Sequence, residues 1–206
     1  MTTKNYYLYT KERKQKEVCG LKIPFYGLLI GNSGSGKTTI LLSILENLSG
    51  QFQRICICLK SKDEPLYRLL EKRVKQIEFF ENEIPDLDTF KDYNSSFIAF
   101  DDFILEDKKI QNQMAAYFIR ARKLNCCVCL LSQSYYRISK LIRQNAQYIF
   151  IRKISTISDL KLILREYSLS CDLDSLIEQY NEATKIFPNF LLIDVINNKF
   201  CSGFSE

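Results

Sequence analysis

The chain has 206 residues, 46% hydrophobic and 26% charged, enough for one sizeable core and too few for two full domains. Its net charge of +5 fits a polyanionic partner without requiring one; the absence of histidine excludes Ser-His-Asp and Cys-His catalysis and argues against a conventional zinc hydrolase. Any chemistry must come from carboxylates, lysine, arginine and amides.

Residues 1–20 are polar and basic, with KERKQKE at 11–17, and are expected to form a basic N-terminal arm ahead of a single domain over 21–206. The opening segment lacks the apolar stretch of a signal sequence, and no segment reaches the ~18 apolar residues that span a bilayer, so a soluble protein that is not exported is expected. From Pro24 onward, short apolar runs alternate with helical periodicity, the pattern of an α/β fold with a mainly parallel sheet flanked by helices. Core strands are predicted at 25–30, 54–59, 96–100, 126–131 and 147–151, each nearly continuously apolar. Between the third and fourth, Ile110, Met114, Tyr117, Phe118 and Ala121 recur at helical spacing and predict a helix over 107–124, with Arg120 and Arg122 off the stripe. Of the eight cysteines, Cys56, Cys58, Cys126, Cys127 and Cys129 fall inside predicted strands and read as reduced core residues. FLLIDVINNKFCSGF, at 190–204, predicts two strands around Asn197 and Asn198, a C-terminal antiparallel hairpin on the sheet edge.

GNSGSGKT, from Gly31 to Thr38, has the spacing G-x-x-x-x-G-K-[ST], follows the first strand and opens the helical pattern KTTILLSILENL. Glycines permit a tight loop whose N–H groups converge on a β-phosphate, and the following helix adds the partial positive charge of its N-terminus. Gly31, Asn32, Ser33, Gly34, Ser35, Gly36, Lys37, Thr38 and Thr39 are therefore the candidate ATP-binding residues. In this pattern Lys37 reaches the β- and γ-phosphates, Thr38 offers its hydroxyl to Mg²⁺, and Ile40, Leu41, Ile44 and Leu45 bury the helix. FIAFDD, at 97–102, is an apolar strand ending in two acids, as a Walker B segment is. Asp101 is the candidate Mg²⁺ partner; Asp102 stands where many ATPases carry a glutamate that polarises the attacking water. CCVCLLSQS, at 126–134, places Gln133 just past a strand end; in the strand order 5-1-4-3-2 that strand lies between the phosphate-loop strand and the Walker B strand, so Gln133 points at the γ-phosphate.

Other nucleotide machines fit less well. NLSGQF, at 47–52, is close to a transporter signature but lies far upstream of FIAFDD, lacks a glycine and has no switch histidine after it. The N-K-x-D guanine reader of a GTPase is absent, and nothing argues for the arginine-rich lid of a small-molecule kinase.

The segment 115–165, carried by RARKLNCCVCLLSQSYYRISKLIRQNAQYIFIRK at 120–153, resembles the FtsK–HerA superfamily of DNA-pumping ATPases, and more closely its viral branch, the genome-packaging ATPases of poxviruses, giant viruses and virophages. The resemblance rests on Arg122 before the sensor strand, Gln133 ending it, and Arg143 with Asn145 leading into the next; with the phosphate loop and FIAFDD it covers about 25–165. It implies a P-loop ATPase of RecA-like fold that uses ATP and Mg²⁺ to drive double-stranded DNA into a preformed capsid. It further implies a homo-oligomeric ring of five or six subunits, contact with viral capsid proteins, no membrane, and a place in the host cytoplasm where virus assembles, or with the virion. An arginine from the neighbouring subunit would complete each site, with Arg122 the first choice and Arg143 the second. Lys60, Lys62, Arg137 and Lys140, with Tyr135 and Tyr136 interleaved, are candidates for DNA phosphate contact. Asp102 in place of glutamate, and a short segment between the two Walker motifs, depart from the cellular pattern. The alternatives are another ring-forming or AAA+ nucleic-acid motor, for which 157–185 is helical enough to supply a lid, and an assembly subunit that binds ATP with little turnover.

Overall fold

Strands that are apolar on both sides must be covered on both sides, and this chain covers them by laying helices on each face of one eight-stranded sheet. The structure is a computed structural model and describes residues 16–167 and 171–204. In chain order its elements are β1 (Lys16–Val18), β2 (Leu21–Ile23), β3 (Tyr26–Ile30), α1 (Lys37–Asn47), β4 (Arg54–Leu59), α2 (Pro65–Arg73), β5 (Ile77–Glu81) and β6 (Ser96–Asp101). They continue with α3 (Lys108–Arg120), β7 (Cys126–Ser132), α4 (Lys140–Asn145), β8 (Tyr148–Ile151), α5 (Ile157–Tyr167), α6 (Leu173–Thr184), β9 (Leu191–Asp194) and β10 (Lys199–Ser202).

The sheet runs β10-β9-β8-β3-β7-β6-β4-β5, with the strands from β8 to β5 parallel and β9 and β10 antiparallel to their neighbours. The five predicted core strands are β3, β4, β6, β7 and β8, in the expected order 5-1-4-3-2, and the hairpin β9–β10 extends the β8 edge. The alternation of side chains sorts the core in two. Leu28, Ile30, Val128 and Leu130 face α3, α5 and α6, whereas Leu29, Ile57, Cys129 and Leu131 face α1 and α2.

Helix α3 starts where Asp107 caps it by accepting a hydrogen bond from Ile110 N–H at 2.9 Å, and a 3₁₀ turn over Ala121–Leu124 completes the predicted span. Met114, Tyr117, Phe118 and Ala121 are buried as their spacing requires, and Arg120 and Arg122 are exposed. All five strand cysteines are buried free thiols; burial pushes those of Cys56 and Cys127 up to about 12, so they pack as neutral side chains.

Two pairings lie outside the predicted elements. β5 adds a parallel strand beside β4, although its sequence IEFFE is half exposed and lacks the apolar run of a doubly covered strand. β1 pairs antiparallel with β2 and begins inside the segment read as an arm, whose residues 1–15 lie outside those described. No described helix is long and apolar enough to cross a membrane.

Leu130 is fully buried in β7, which is paired on both sides, so Leu130→Ala should lower stability by about 2–5 kcal/mol. Urea unfolding should show this as an earlier midpoint with an unchanged slope.

Candidate nucleotide-binding site

Strand β3 sits where the connections diverge, with β7 on one side and β8 on the other, and the C-terminal ends of its parallel neighbours open onto one crevice. The chain leaves β3 through Gly31 and turns into α1 within six residues, Gly31 to Gly36. Two of them, Gly34 (φ 67°) and Gly36 (φ 100°), take the left-handed backbone that only glycine adopts without strain. The loop is tied down from behind. Gly31 N–H donates to Ser132 O at 3.2 Å and Asn32 N–H to Lys153 O at 2.9 Å, while the Asn32 side-chain oxygen accepts from both N–H and hydroxyl of Ser155 at 3.0 and 2.8 Å.

Helix α1 has Gly36 at its N-cap, with no side-chain cap and no acid in its first turn, whereas α3, α4 and α6 are capped by the side chains of Asp107, Ser139 and Asp172. Its first N–H groups and the positive end of its dipole are left for an anion. Lys37 curls over the loop and donates to Gly31 O and Asn32 O, both at 2.9 Å; burial lowers the pKa of its ammonium, partly offset by the charges of Asp101 and Asp102.

A cleft of about 350 Å³ lies over this loop. Ser33, Gly34, Gly36, Lys37, Thr38 and Thr39 line it from the loop side, Asp101 and Asp102 from the end of β6, and Gln133 from just beyond β7. Of the nine loop residues named from sequence, Gly31, Asn32 and Ser35 stand behind the lining. A Cβ on Gly31 would come 2.6 Å from Ser35 Oγ and 3.0 Å from Arg152 Cβ, so that first glycine serves close packing.

Asp101 is largely buried, and burial pushes its carboxyl up to about 6 even though the Tyr67 hydroxyl donates to its Oδ2. Asp102 turns the chain away from the strand with φ 61°, which holds its side chain exposed at the cleft. Thr38 Oγ1 donates to Glu64 Oε2 at 3.4 Å. The cation donors here are thus a hydroxyl and carboxylates, hard oxygens suited to Mg²⁺. Among the described residues no group of three His, Cys, Asp or Glu could hold a metal. A cation in this cleft would share its coordination with phosphate, the arrangement usual for Mg²⁺.

The arginines lie elsewhere. Arg122 and Gln133 flank β7 at opposite ends, and its seven residues at ~3.3 Å each put roughly 20 Å between them. Arg122 is exposed, its guanidinium 5.6 Å from the centre of the Tyr26 ring, and no carboxylate pairs with it among the described residues. Arg143 is bound up within its own chain, 2.7 Å from Glu166 and 5.0 Å from the centre of Tyr135. Among the DNA candidates, Lys60 is paired with Glu106 and Lys62 with Glu71, and Tyr135 is buried against the Tyr167 hydroxyl at 2.8 Å. Tyr136, Arg137 and Lys140 are exposed on the segment that follows Gln133.

Among the residues of this region that local sequence did not single out are Glu64, Tyr67, Arg152 and Phe187. Glu64 carried a signal, since it lies shortly after the C-terminal end of a parallel strand, where ligands of such sheets bind. Tyr67 follows on the next helical turn. Arg152 and Phe187 carried none, because their position depends on how the C-terminal segments return to β8.

A parallel sheet of this order with a glycine loop between β3 and α1 is the fold of a P-loop NTPase. Solved structures bear out the fold that the resemblance implies. The DNA-packaging ATPase B204 from Sulfolobus turreted icosahedral virus aligns with a TM-score of 0.62 at 15% identity, over 88% of this chain and 97% of its own. The genome-packaging NTPase B204 from Sulfolobus turreted icosahedral virus 2, in complex with AMPPCP, aligns with a TM-score of 0.62 at 15% identity, over 86% and 95%. EssC ATPases 2 and 3 from Geobacillus thermodenitrificans reach a TM-score of 0.60 at 11% identity, over 83% of this chain and 38% of theirs. No family model and no curated protein matches the sequence.

Tyr67→Phe removes a donor from a buried carboxylate and should destabilise the protein by about 1–3 kcal/mol. Urea unfolding at neutral pH measures this, and an unchanged midpoint would show that the Tyr67 hydroxyl contributes nothing at Asp101.

Proposed function

We propose that this chain is the ATP-hydrolysing motor of a viral genome-packaging machine, a homo-oligomeric ring that drives double-stranded DNA into a preformed capsid. The observation that carries the reading is the separation of the two halves of the chemistry. The cleft gathers Lys37, Thr38, Asp101, Asp102 and Gln133, while Arg122, with no carboxylate partner among the described residues, stands exposed at the opposite end of β7, too far away to serve its own cleft. The shared fold with viral packaging ATPases agrees with it.

In this reading the loop amides and Lys37 hold the β- and γ-phosphates, and the free N-terminus of α1 adds its field. Thr38 and Asp101 would hold Mg²⁺, which when bound would neutralise phosphate charge. Asp102 accepts the proton of the attacking water and Gln133 orients that water and registers the γ-phosphate. Arg122 of the adjacent subunit stabilises the charge on the transferring phosphoryl group, so hydrolysis opens the subunit boundary. Arg143 is the weaker choice for this role, because reaching out would leave Glu166 unpaired. The segment after Gln133 joins the γ-phosphate end of the cleft to exposed Tyr136, Arg137 and Lys140, a short route from hydrolysis to a loop that grips DNA phosphates.

Steady-state ATP hydrolysis by the purified protein should rise on adding long double-stranded DNA and vanish in Lys37→Ala. Turnover indifferent to DNA, at concentrations where rings form, would favour the alternative of an ATP-binding assembly subunit. Arg122→Ala should lower turnover by about 10³-fold or more with nucleotide affinity nearly unchanged. A parallel collapse of affinity would rule out a finger role for Arg122.

A further inference from the structure

Phe187 is a large aromatic side chain left 60% exposed, yet it is not loose on the surface. It lines the nucleotide cleft, and its ring edge presses on the phosphate loop so closely that a Cβ on Gly36 would lie 2.7 Å from Cε2. One face of the ring is covered by Arg152, whose guanidinium sits 5.4 Å from the ring centre. Arg152 is 2% exposed, holds Thr184 O through Nη1 at 2.7 Å, and has no partner at Nε and no carboxylate partner among the described residues. A guanidinium that is buried without a carboxylate gains from lying against an aromatic face. With one face and one edge occupied, the other face of Phe187 is the one available to a ligand.

Its place relative to the phosphates says which part of a ligand that would be. The γ-phosphate end of the cleft is marked by Asp101 and Gln133 at the tips of β6 and β7, on one flank of β3. Phe187 stands with Arg152, at the tip of β8 on the opposite flank. A nucleotide whose triphosphate follows the loop toward β7 carries its sugar and base toward β8. We infer that Phe187, backed by Arg152, is the stacking platform for the nucleobase; the inference rests on the nucleotide reading above and deepens it. The flat face, wet on one side and held on the other, suits a π-face of any base.

The test separates the base from the phosphates by comparing ATP with inorganic tripolyphosphate, each titrated calorimetrically with Mg²⁺ present. Phe187→Ala should weaken ATP binding by about 5- to 100-fold and leave tripolyphosphate binding unchanged. Equal losses for both ligands, or no loss for either, would overturn the platform. A wild-type protein that bound neither would overturn the nucleotide reading and the platform with it. The chain contains no tryptophan, so Phe187→Trp introduces a single reporter that keeps an aromatic face should Phe187→Ala fail to fold. Its emission should be quenched by ATP and not by tripolyphosphate; emission unaltered at saturating ATP would exclude stacking.

Discussion

The turn from β3 into α1 is the constraint on which the rest of the molecule depends. A buried strand must become a helix within six residues, Gly31 to Gly36, while leaving the first amides of that helix uncapped and pointing outward. Such a loop would collapse onto its own donors unless it were held from outside, and the holding comes from far along the chain. Ser132 and Lys153 receive its backbone N–H groups, Ser155 engages Asn32, and Phe187 rests on Gly36. The segments after β7 and β8, and the return from α6, are therefore parts of one cradle. Lys37 completes it by donating hydrogen bonds to two of the loop's own carbonyls.

The acidic side is organised by burial. Asp101 ends a strand with no exposed residue before it, and the cost of charge there raises its proton affinity. Tyr67, carried by a helix on the opposite face from α3, steadies the carboxylate. Asp102 is in a different environment one residue later, exposed and in left-handed backbone, so two adjacent acids sit in opposite surroundings.

Much of this was legible in the sequence. Doubly covered parallel strands are apolar throughout, which made β3, β4, β6, β7 and β8 readable and fixed their order once the phosphate loop and FIAFDD were placed. The helix α3 announced itself through the spacing of Met114, Tyr117 and Phe118. The strand β5 did not, because an edge strand with Glu78 facing Arg54 and Glu81 exposed has no continuous apolar run. At the site, the residues on the loop and at strand ends could be found because local spacing defines them. Phe187 reaches the cleft, and Tyr67 and Arg152 come to back Asp101 and Phe187, only through tertiary packing, and no local pattern marks them. Tyr135 was misplaced among surface candidates for the same reason: pairing with Tyr167 draws it into the core while Tyr136 stays outside.

The sheet has its chemistry at the middle and its variety at the margins. Lys37, Asp101 and Gln133 lie at or shortly beyond the ends of β3, β6 and β7, three adjacent strands whose mutual register is fixed by pairing on every side. β5 on one margin and the β9–β10 hairpin on the other can be lengthened, shortened or joined to new elements without altering that register. A fold of this plan can diversify sideways, acquiring fresh surfaces at its margins, while the spacing of Lys37, Asp101 and Gln133 stays where the three central strands put it.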